Sequence, residues 1–164
     1  MKHTRWILLA EDDPQIAELT ALALDSEALG YEVIVAHDGL ETLDCLYRRG
    51  RFSEREPGHP AVVLLDLKMP KVDGLEVLRQ IKSDEHLKTV PVVMLTSSRE
   101  ESDVLTSYRL GTNAYVVKPV DFGHFSQAIK LLGEFWASVN EPPPEAIGDG
   151  SAFPLHLNAV VGHA

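Results

Sequence analysis

The apolar residues of the chain fall into five short runs, separated by stretches in which they recur at helical spacing. The run at residues 61–66 is the clearest, because aliphatic residues end on a single carboxylate, Asp66, before the chain breaks at Pro70. Runs of this kind are typical of strands buried on both faces of a parallel sheet. Each run is therefore predicted to be a strand. The other four lie at residues 6–10, 31–36, 91–96 and 113–117.

A helix-start signal follows each apolar run. The first is Asp13 before Pro14, an N-cap residue with a proline in the first turn. The others are Asp38 with Glu41, Asp73 with Glu76, Ser98 with Glu101, and Asp121 alone. The predicted helices that have a recognisable stop end at Gly30, near Gly50, before Gly111 and at about Ser138.

The apolar positions of three helices predict which side of each is buried. The first helix contributes Ile16, Leu19, Leu22, Ala23 and Leu29, and the third contributes Leu75, Val77, Leu78 and Ile81. The last has a broad stripe of Phe122, Phe125, Ala128, Ile129, Leu131, Leu132, Phe135 and Trp136. A helix on one sheet face needs only one apolar side, so Leu131 and Phe135 are candidates for a contact with a second copy.

Five strands that alternate with five helices predict a doubly wound α/β fold with a five-stranded parallel sheet. The order 2-1-3-4-5 of flavodoxin-like folds is the common solution for this number of strands. Residues 1–139 are predicted to form one domain. Residues 140–164 begin with three prolines that cannot continue a helix, and they are too few for a separate domain.

The composition limits the class of protein and its compartment. A net charge of −10 argues against binding to DNA or to an anionic membrane surface. The single cysteine, Cys45, fits a reducing compartment, and its place in a predicted helix favours a buried packing role. No segment resembles a signal peptide or could span a bilayer. We therefore expect a cytoplasmic protein.

The polar residues that end the strands predict a metal site. Glu11 and Asp12 follow the first strand, and Asp66 ends the third. These strands are neighbours in the expected order, so the three carboxylates share one crevice at the carboxyl edge of the sheet. Their repulsion requires a cation, and oxygen ligands with room for water favour Mg²⁺.

The same edge carries the groups that phosphoryl transfer needs. A carboxylate is ionised at neutral pH, so Asp66 can attack a phosphoryl group without a general base. Asp12 would hold the metal ion, with Glu11 acting through water. The Lys118 ammonium would neutralise charge on the phosphoryl oxygens, and the Thr96 hydroxyl would donate to another of them.

These motifs resemble the receiver domain of two-component response regulators. They are the acids at 11–13 with Pro14, the segment 66–70 with Asp73 and Gly74, the pair Thr96 and Ser97, and Tyr115 with Lys118 and Pro119. The resemblance covers residues 6–136. It implies phosphorylation of Asp66 by a histidine kinase, and Mg²⁺ held by Asp12, Asp66 and the backbone carbonyl of Lys68. It also implies a cis bond before Pro119 and a switch in which Thr96 and Tyr115 move.

A narrower similarity is to the stand-alone regulators paired with bacterial and cyanobacterial phytochromes. It rests on the long loop before the third strand, on residues 115–122, and on Phe135 and Trp136 leading to residues 140–143. It implies a bacteriophytochrome kinase as donor and a homodimer through the fourth helix, fifth strand and fifth helix. Without an output domain, the signal would pass by partner binding or by transfer to a second phosphotransfer protein.

Other interpretations remain open from sequence. A lone aspartate at a strand end is most often a helix cap, although Asp73 already fills that role after Asp66. A small Mg²⁺-dependent phosphohydrolase would use the same nucleophile, but such enzymes usually carry a second acid where this chain has Lys68. A receiver used only as a binding module would not need the complete set of site residues.

Overall fold

The computed structural model of the protein describes residues 4–25 and 30–144. Five parallel strands form one sheet in the order β2-β1-β3-β4-β5, which confirms the predicted topology. Every residue of β1, β3 and β4 is buried, because helices cover both faces of the sheet. The strands are β1 (Trp6–Ala10), β2 (Glu32–Ala36), β3 (Val62–Leu65), β4 (Val92–Thr96) and β5 (Ala114–Val117).

One helix follows each strand, and the helices divide the core into two layers. α1 and α5 cover one face around Leu24, Phe125 and Ile129, whereas α2 and α3 cover the other around Leu46 and Val77. This arrangement is the flavodoxin-like fold that the pattern predicts. The helices are α1 (Pro14–Leu24), α2 (Gly39–Tyr47), α3 (Gly74–Ser83), α4 (Glu101–Leu110) and α5 (Phe122–Glu134), with a 3₁₀ turn at Gly50–Phe52 and a π-helical turn at Phe135–Val139.

Four of the five predicted N-caps are confirmed. Their side chains accept hydrogen bonds from backbone N–H groups of the first turn, which would otherwise have no partner. The four are Asp13, Asp38, Asp73 and Asp121.

The predicted cap of α4 by Ser98 and Glu101 is wrong. The N-cap residue is Glu100, and no side chain caps this helix. Ser98 lies two residues before the cap position, and its hydroxyl lies 2.5 Å from the Asp103 carboxylate instead.

The predicted burial of α1 is also wrong in part. Leu22 is 63% exposed and Leu19 is 39% exposed, because the side that faces the sheet carries Ala17, Thr20 and Leu24. The helix ends at Leu24, before the predicted stop at Gly30. The predicted position Leu29 lies outside the described residues.

The predicted apolar stripe of α5 is also only partly buried. Phe125 and Ile129 are buried, but Phe122 and Leu131 are each 61% exposed and Phe135 is also exposed. The apolar side chains of this 13-residue helix lie over a wider arc than one sheet face can cover. The surplus lies on the surface, as expected for Leu131 and Phe135 but not for Phe122.

Two further predictions from the composition can be compared with the structure. Cys45 is completely buried in α2, and burial raises the pKa of its thiol to about 11, as expected for a packing residue. No helix within residues 4–25 and 30–144 is long and apolar enough to cross a membrane. The predicted extension is described only as far as residue 144.

Candidate functional site

Backbone hydrogen bonds continue the sheet by one residue past β3 and past β5, and so align the site. The Asp66 N–H donates to the Ala10 carbonyl at 3.1 Å, and the Lys118 N–H donates to the Thr96 carbonyl at 2.8 Å. Asp66 therefore lies beside Ala10, the residue that precedes Glu11. The side chains at the carboxyl ends of these strands therefore leave the backbone at one edge of the sheet, as the strand order predicts.

Three predicted metal ligands come together at this edge. Carboxylate oxygens of Glu11, Asp12 and Asp66 all lie within 4.8 Å of one another. Glu11 is buried, Asp66 is partly buried and Asp12 is exposed, which leaves one side open to water. A hard set of carboxylate oxygens with an open side suits Mg²⁺, which usually keeps several waters. The residues present therefore fit the cation that the sequence predicts.

Lys118 supplies a positive charge to this acidic cluster. Its side chain is 8% exposed, and its ammonium donates to Glu11 Oε2 at 2.5 Å and to Asp66 Oδ2 at 3.2 Å. Burial lowers the pKa of Lys118, but the two carboxylates outweigh burial and hold this pKa above its ordinary value. The ammonium therefore stays charged beside the predicted nucleophile.

Glu11 has the most perturbed carboxyl group of the site. Burial raises its pKa to about 7, even though Lys118 acts in the opposite direction, and the negative charge of Asp66 adds to the increase. The Glu11 carboxyl therefore changes charge near neutral pH. The sequence alone does not reveal this, because it depends on how completely the side chain is enclosed.

The expected cis bond before Pro119 is absent. All peptide bonds in the described residues are trans, and the Lys118 ammonium still reaches both Glu11 and Asp66. The trans form is the lower-energy state of most bonds that precede proline.

The predicted switch residues both contact the loop between β4 and α4. Thr96 is buried, and its hydroxyl oxygen accepts a hydrogen bond from the Ser98 N–H at 3.3 Å. The Tyr115 hydroxyl donates to the Ser98 carbonyl at 3.0 Å. A cavity of about 350 Å³ above Asp66 is lined by Lys68, Thr96 and residues of this loop. Thr96 and Asp66 thus face one space that could hold a phosphoryl group.

Two further features of the site are not evident from sequence. A second cavity of about 370 Å³ lies between Asp12 and the loop that contains Lys68. An apolar groove of about 270 Å³ adjoins the Asp66 cavity, with which it shares Ser97 and Arg99. The groove is lined by Ile16, Leu19, Ser97, Arg99, Lys118, Pro119, Val120, Phe122 and Phe125. Leu19 and Phe122 were predicted core positions, and helical spacing alone cannot distinguish a groove from a core.

Known proteins share this architecture. Residues 7–130 match the family described as the response regulator receiver domain. The chain is 38% identical over 130 residues to response regulator Rcp1 of Synechocystis sp., covering 79% of this chain and 87% of that protein. The Mn²⁺-bound form of Rcp1 is a similar solved structure, with 34% identity, a TM-score of 0.79, and coverage of 85% of this chain and 99% of that one.

Two other solved structures are also similar. The phosphorylated cyanobacterial phytochrome response regulator RcpA has 37% identity and a TM-score of 0.80, covering 85% of this chain and 99% of that one. The bacteriophytochrome response regulator RtBRR has 55% identity and a TM-score of 0.68, covering 98% of this chain and 96% of that one. These relatives are signalling proteins rather than enzymes, which counts against the phosphohydrolase interpretation. The chain belongs to the response regulator receiver domain family.

Proposed function

We propose that Asp66 accepts a phosphoryl group from a sensor histidine kinase of the bacteriophytochrome type. The observation that carries this proposal is the position of Asp66, which contacts the Lys118 ammonium and clusters with Glu11 and Asp12 at the floor of an open cavity. Relatives that are phytochrome response regulators, one of them phosphorylated, support the identity of the donor. The receiver unit would comprise residues 1–139, with residues 140–164 as an extension.

The transfer needs little covalent assistance from the protein. An Asp66 carboxylate oxygen attacks the phosphorus of a phosphohistidine whose other ring nitrogen is protonated. The new O–P bond forms as the P–N bond breaks, and the ring leaves with the bonding electrons as a neutral imidazole. The Lys118 ammonium already donates a hydrogen bond to Asp66 Oδ2, and after transfer it can donate one to a phosphoryl oxygen. The Thr96 hydroxyl lines the same cavity and can donate to another phosphoryl oxygen.

The cation site would consist of Glu11, Asp12, Asp66 and the backbone carbonyl of Lys68. When bound, Mg²⁺ would neutralise negative charge on the phosphoryl oxygens. Lys68 lines both the Asp66 cavity and the cavity beside Asp12, so it lies between the two sides of this site. The Mn²⁺-bound form of Rcp1 supports a divalent cation here.

Phosphorylation would act through Thr96 and Tyr115. A phosphoryl group on Asp66 draws the Thr96 hydroxyl toward it and breaks the contact with Ser98. Tyr115 is hydrogen-bonded to the same loop and would move with it. The α4 face would then change between two arrangements, which partners can distinguish. Output would follow from partner binding or onward phosphotransfer in the cytoplasm.

The decisive experiment is incubation with Mg²⁺ and either a small phosphodonor or a phosphorylated phytochrome kinase. The proposal expects one phosphoryl group per chain, with a label that is stable in acid, labile in alkali and located on Asp66. Repeated turnover of an unrelated phosphate ester would instead support the phosphohydrolase. The absence of any label would support a binding module.

Divalent cation binding should depend on pH through Glu11. The carboxyl is protonated below its pKa of about 7 and must lose that proton to serve the cation, so affinity falls as pH falls. We expect the dissociation constant for Mn²⁺ to rise about tenfold from about pH 8 to about pH 6. Electron paramagnetic resonance of free Mn²⁺ measures this constant. The Glu11→Gln variant is the control, and an equal pH dependence in it would contradict the assignment.

The apolar groove beside the Asp66 cavity favours a protein as phosphodonor. Phe122 is exposed and lines this groove together with Pro119 and Val120, so a protein bound here would bury a continuous apolar surface. The Phe122→Ala variant should lower the rate of transfer from the kinase about tenfold, as expected for an apolar residue at the centre of an interface. Transfer from a small phosphodonor should not change. Leu40→Ala, which alters an exposed leucine on α2 away from the groove and from the proposed dimer face, is the control.

We also propose that the protein forms a homodimer through α4, β5 and α5. Leu105 and Tyr108 on α4, Leu131 on α5 and Phe135 directly after α5 are exposed apolar side chains. Leu131→Glu should raise the dissociation constant of the dimer at least tenfold, because a buried, unpaired carboxylate is costly. Sedimentation velocity measures this constant. Leu22→Glu on α1, a leucine of nearly equal exposure, should leave it unchanged, and equal effects would contradict the interface.

A further inference from the structure

The loop between β3 and α3, residues 67–73, is held in a strained conformation. Lys71 adopts the left-handed region with a φ of 66°, which is uncommon for a residue with a side chain. Such a conformation costs free energy and persists only where its surroundings impose it. This loop carries Lys68, whose carbonyl is a proposed cation ligand. The contacts that impose the strain therefore bear on the cation site.

An ion pair connects the strained residue to the start of α2. The Lys71 ammonium lies 3.2 Å from Asp38 Oδ2, while Asp38 Oδ1 accepts the Glu41 N–H at 2.8 Å as the N-cap of α2. Asp38 is 8% exposed, so its carboxylate is held in one place even though the lysine is largely exposed. One carboxylate thus fixes both the helix and the loop.

The backbone of the loop also contacts α2 directly. A Cβ atom at Gly39 would lie 1.8 Å from the Val72 carbonyl oxygen, so only glycine permits this approach. On the other side, a Cβ atom at Gly74 would lie 2.1 Å from the Asp66 carbonyl oxygen. The loop is therefore enclosed between the start of α2 and the backbone of the predicted nucleophile.

The segment that precedes α2 also contacts the other side of the cation site. The Glu11 N–H donates to the Ala36 carbonyl at 3.0 Å, two residues before Asp38. Residues 36–39 therefore touch both chain segments that contribute proposed ligands. If these contacts are kept, they would set the distance between the Glu11–Asp12 pair and the Lys68 carbonyl.

We infer that Asp38 and Lys71 are positioning residues that fix the 67–73 loop so that the Lys68 carbonyl completes the cation site. This inference rests on the proposed function, because it assumes that Lys68 is a ligand. Neither residue is one of the proposed cation ligands. Residues that orient metal ligands typically change metal affinity by about tenfold or more when they are removed.

Two single substitutions separate positioning from plain electrostatics. Lys71→Met removes a positive charge near the site, and Asp38→Ser removes a negative one while it keeps an oxygen that can cap α2. If only long-range charge mattered, Lys71→Met would strengthen cation binding and Asp38→Ser would weaken it. If the ion pair positions the loop, both substitutions weaken binding. Lys71→Arg preserves the pair, and Lys88→Met removes a lysine from an exposed pair with Glu85 elsewhere.

The test measures Mn²⁺ affinity of the full chain by electron paramagnetic resonance, with Mg²⁺ as competitor, and melting temperature without metal. We expect Lys71→Met and Asp38→Ser each to raise the Mn²⁺ dissociation constant about tenfold, while Lys71→Arg and Lys88→Met stay near the wild-type value. Shifts in opposite directions, or no shift, would overturn the inference. Loss of Mn²⁺ binding in Asp12→Ala tests the proposed cation site separately. If the wild-type protein binds no Mn²⁺ at all, the result contradicts the proposed cation site itself and not only the positioning role.

Discussion

The Asp66→Asn variant is expected to lose phosphotransfer from the kinase, with a rate lower by about a thousandfold or more. An amide has nearly the shape of a carboxylate, but its oxygen is a far weaker nucleophile toward phosphorus. The amide oxygen of the variant could still accept the hydrogen bond that the Lys118 ammonium now donates to Asp66. The loss would therefore report on chemistry rather than on folding. Incorporation of a radiolabelled phosphoryl group measures it.

Controls make the Asp66 result specific. Circular dichroism and the melting temperature of the variant should remain close to those of the wild type. Asp73→Asn is the matched control, since Asp73 is an aspartate that caps α3 and does not belong to the carboxylate cluster. That variant should still accept phosphate. A phosphorylated Asp66→Asn protein, labelled at the wild-type rate, would refute the assignment of the nucleophile.

The Lys118→Ala variant is expected to lower the stability of the metal-free protein, in an amount that Mg²⁺ can largely restore. Without metal, removal of the ammonium leaves Glu11 and Asp66 without their cation, so that Glu11 must either stay protonated or bear an unpaired buried charge, and the free energy of unfolding should fall by about 3 kcal/mol. Mg²⁺ should restore much of this loss, because it supplies positive charge to the same carboxylates. Chemical denaturation with and without Mg²⁺ measures both effects.

The signalling effect of Lys118→Ala should be larger than its effect on cation binding. The ammonium now competes with the cation for Glu11, so Mg²⁺ affinity should be retained or increased. The change in dimer or partner affinity on phosphorylation should become small, because the phosphoryl group loses its lysine contact. Lys130→Ala, an exposed lysine on α5, should behave as wild type. An unchanged phosphorylation response in Lys118→Ala would contradict the proposed contact.

Particular residues show how far the sequence alone could be interpreted. The buried strands were predictable because continuous aliphatic runs have few alternatives, and the four aspartate caps were predictable because their hydrogen bonds are local. The predicted cap of α4 was wrong because the Ser98 hydroxyl donates a hydrogen bond to the Asp103 carboxylate instead of accepting one as a helix cap. Leu19, Leu22 and Phe122 were assigned to the core because helical spacing does not show how wide a face the sheet covers.

The carboxylate cluster was predicted from strand order, but its electrostatics were not. The pKa of Glu11 is raised to about 7 because burial outweighs the opposing effect of Lys118, a residue 107 positions away in sequence. The Asp38–Lys71 pair likewise joins two loops whose approach depends on Gly39 and Val72. A local sequence pattern carries no information about distances between residues so far apart in the chain.

The sequence by itself determined the five alternating strands and helices and the strand ends that carry acids, and it singled out Asp66 as the residue that we propose attacks phosphorus. Its information is local: periodicity, caps and the residue at each strand end. Only the tertiary structure decided which apolar side chains remain exposed, how the Lys118 ammonium is shared between two carboxylates, and what fixes the loop beside Asp66. Those outcomes depend on burial and on distances between segments remote in sequence, and the free energies of charged groups change most steeply with burial and distance.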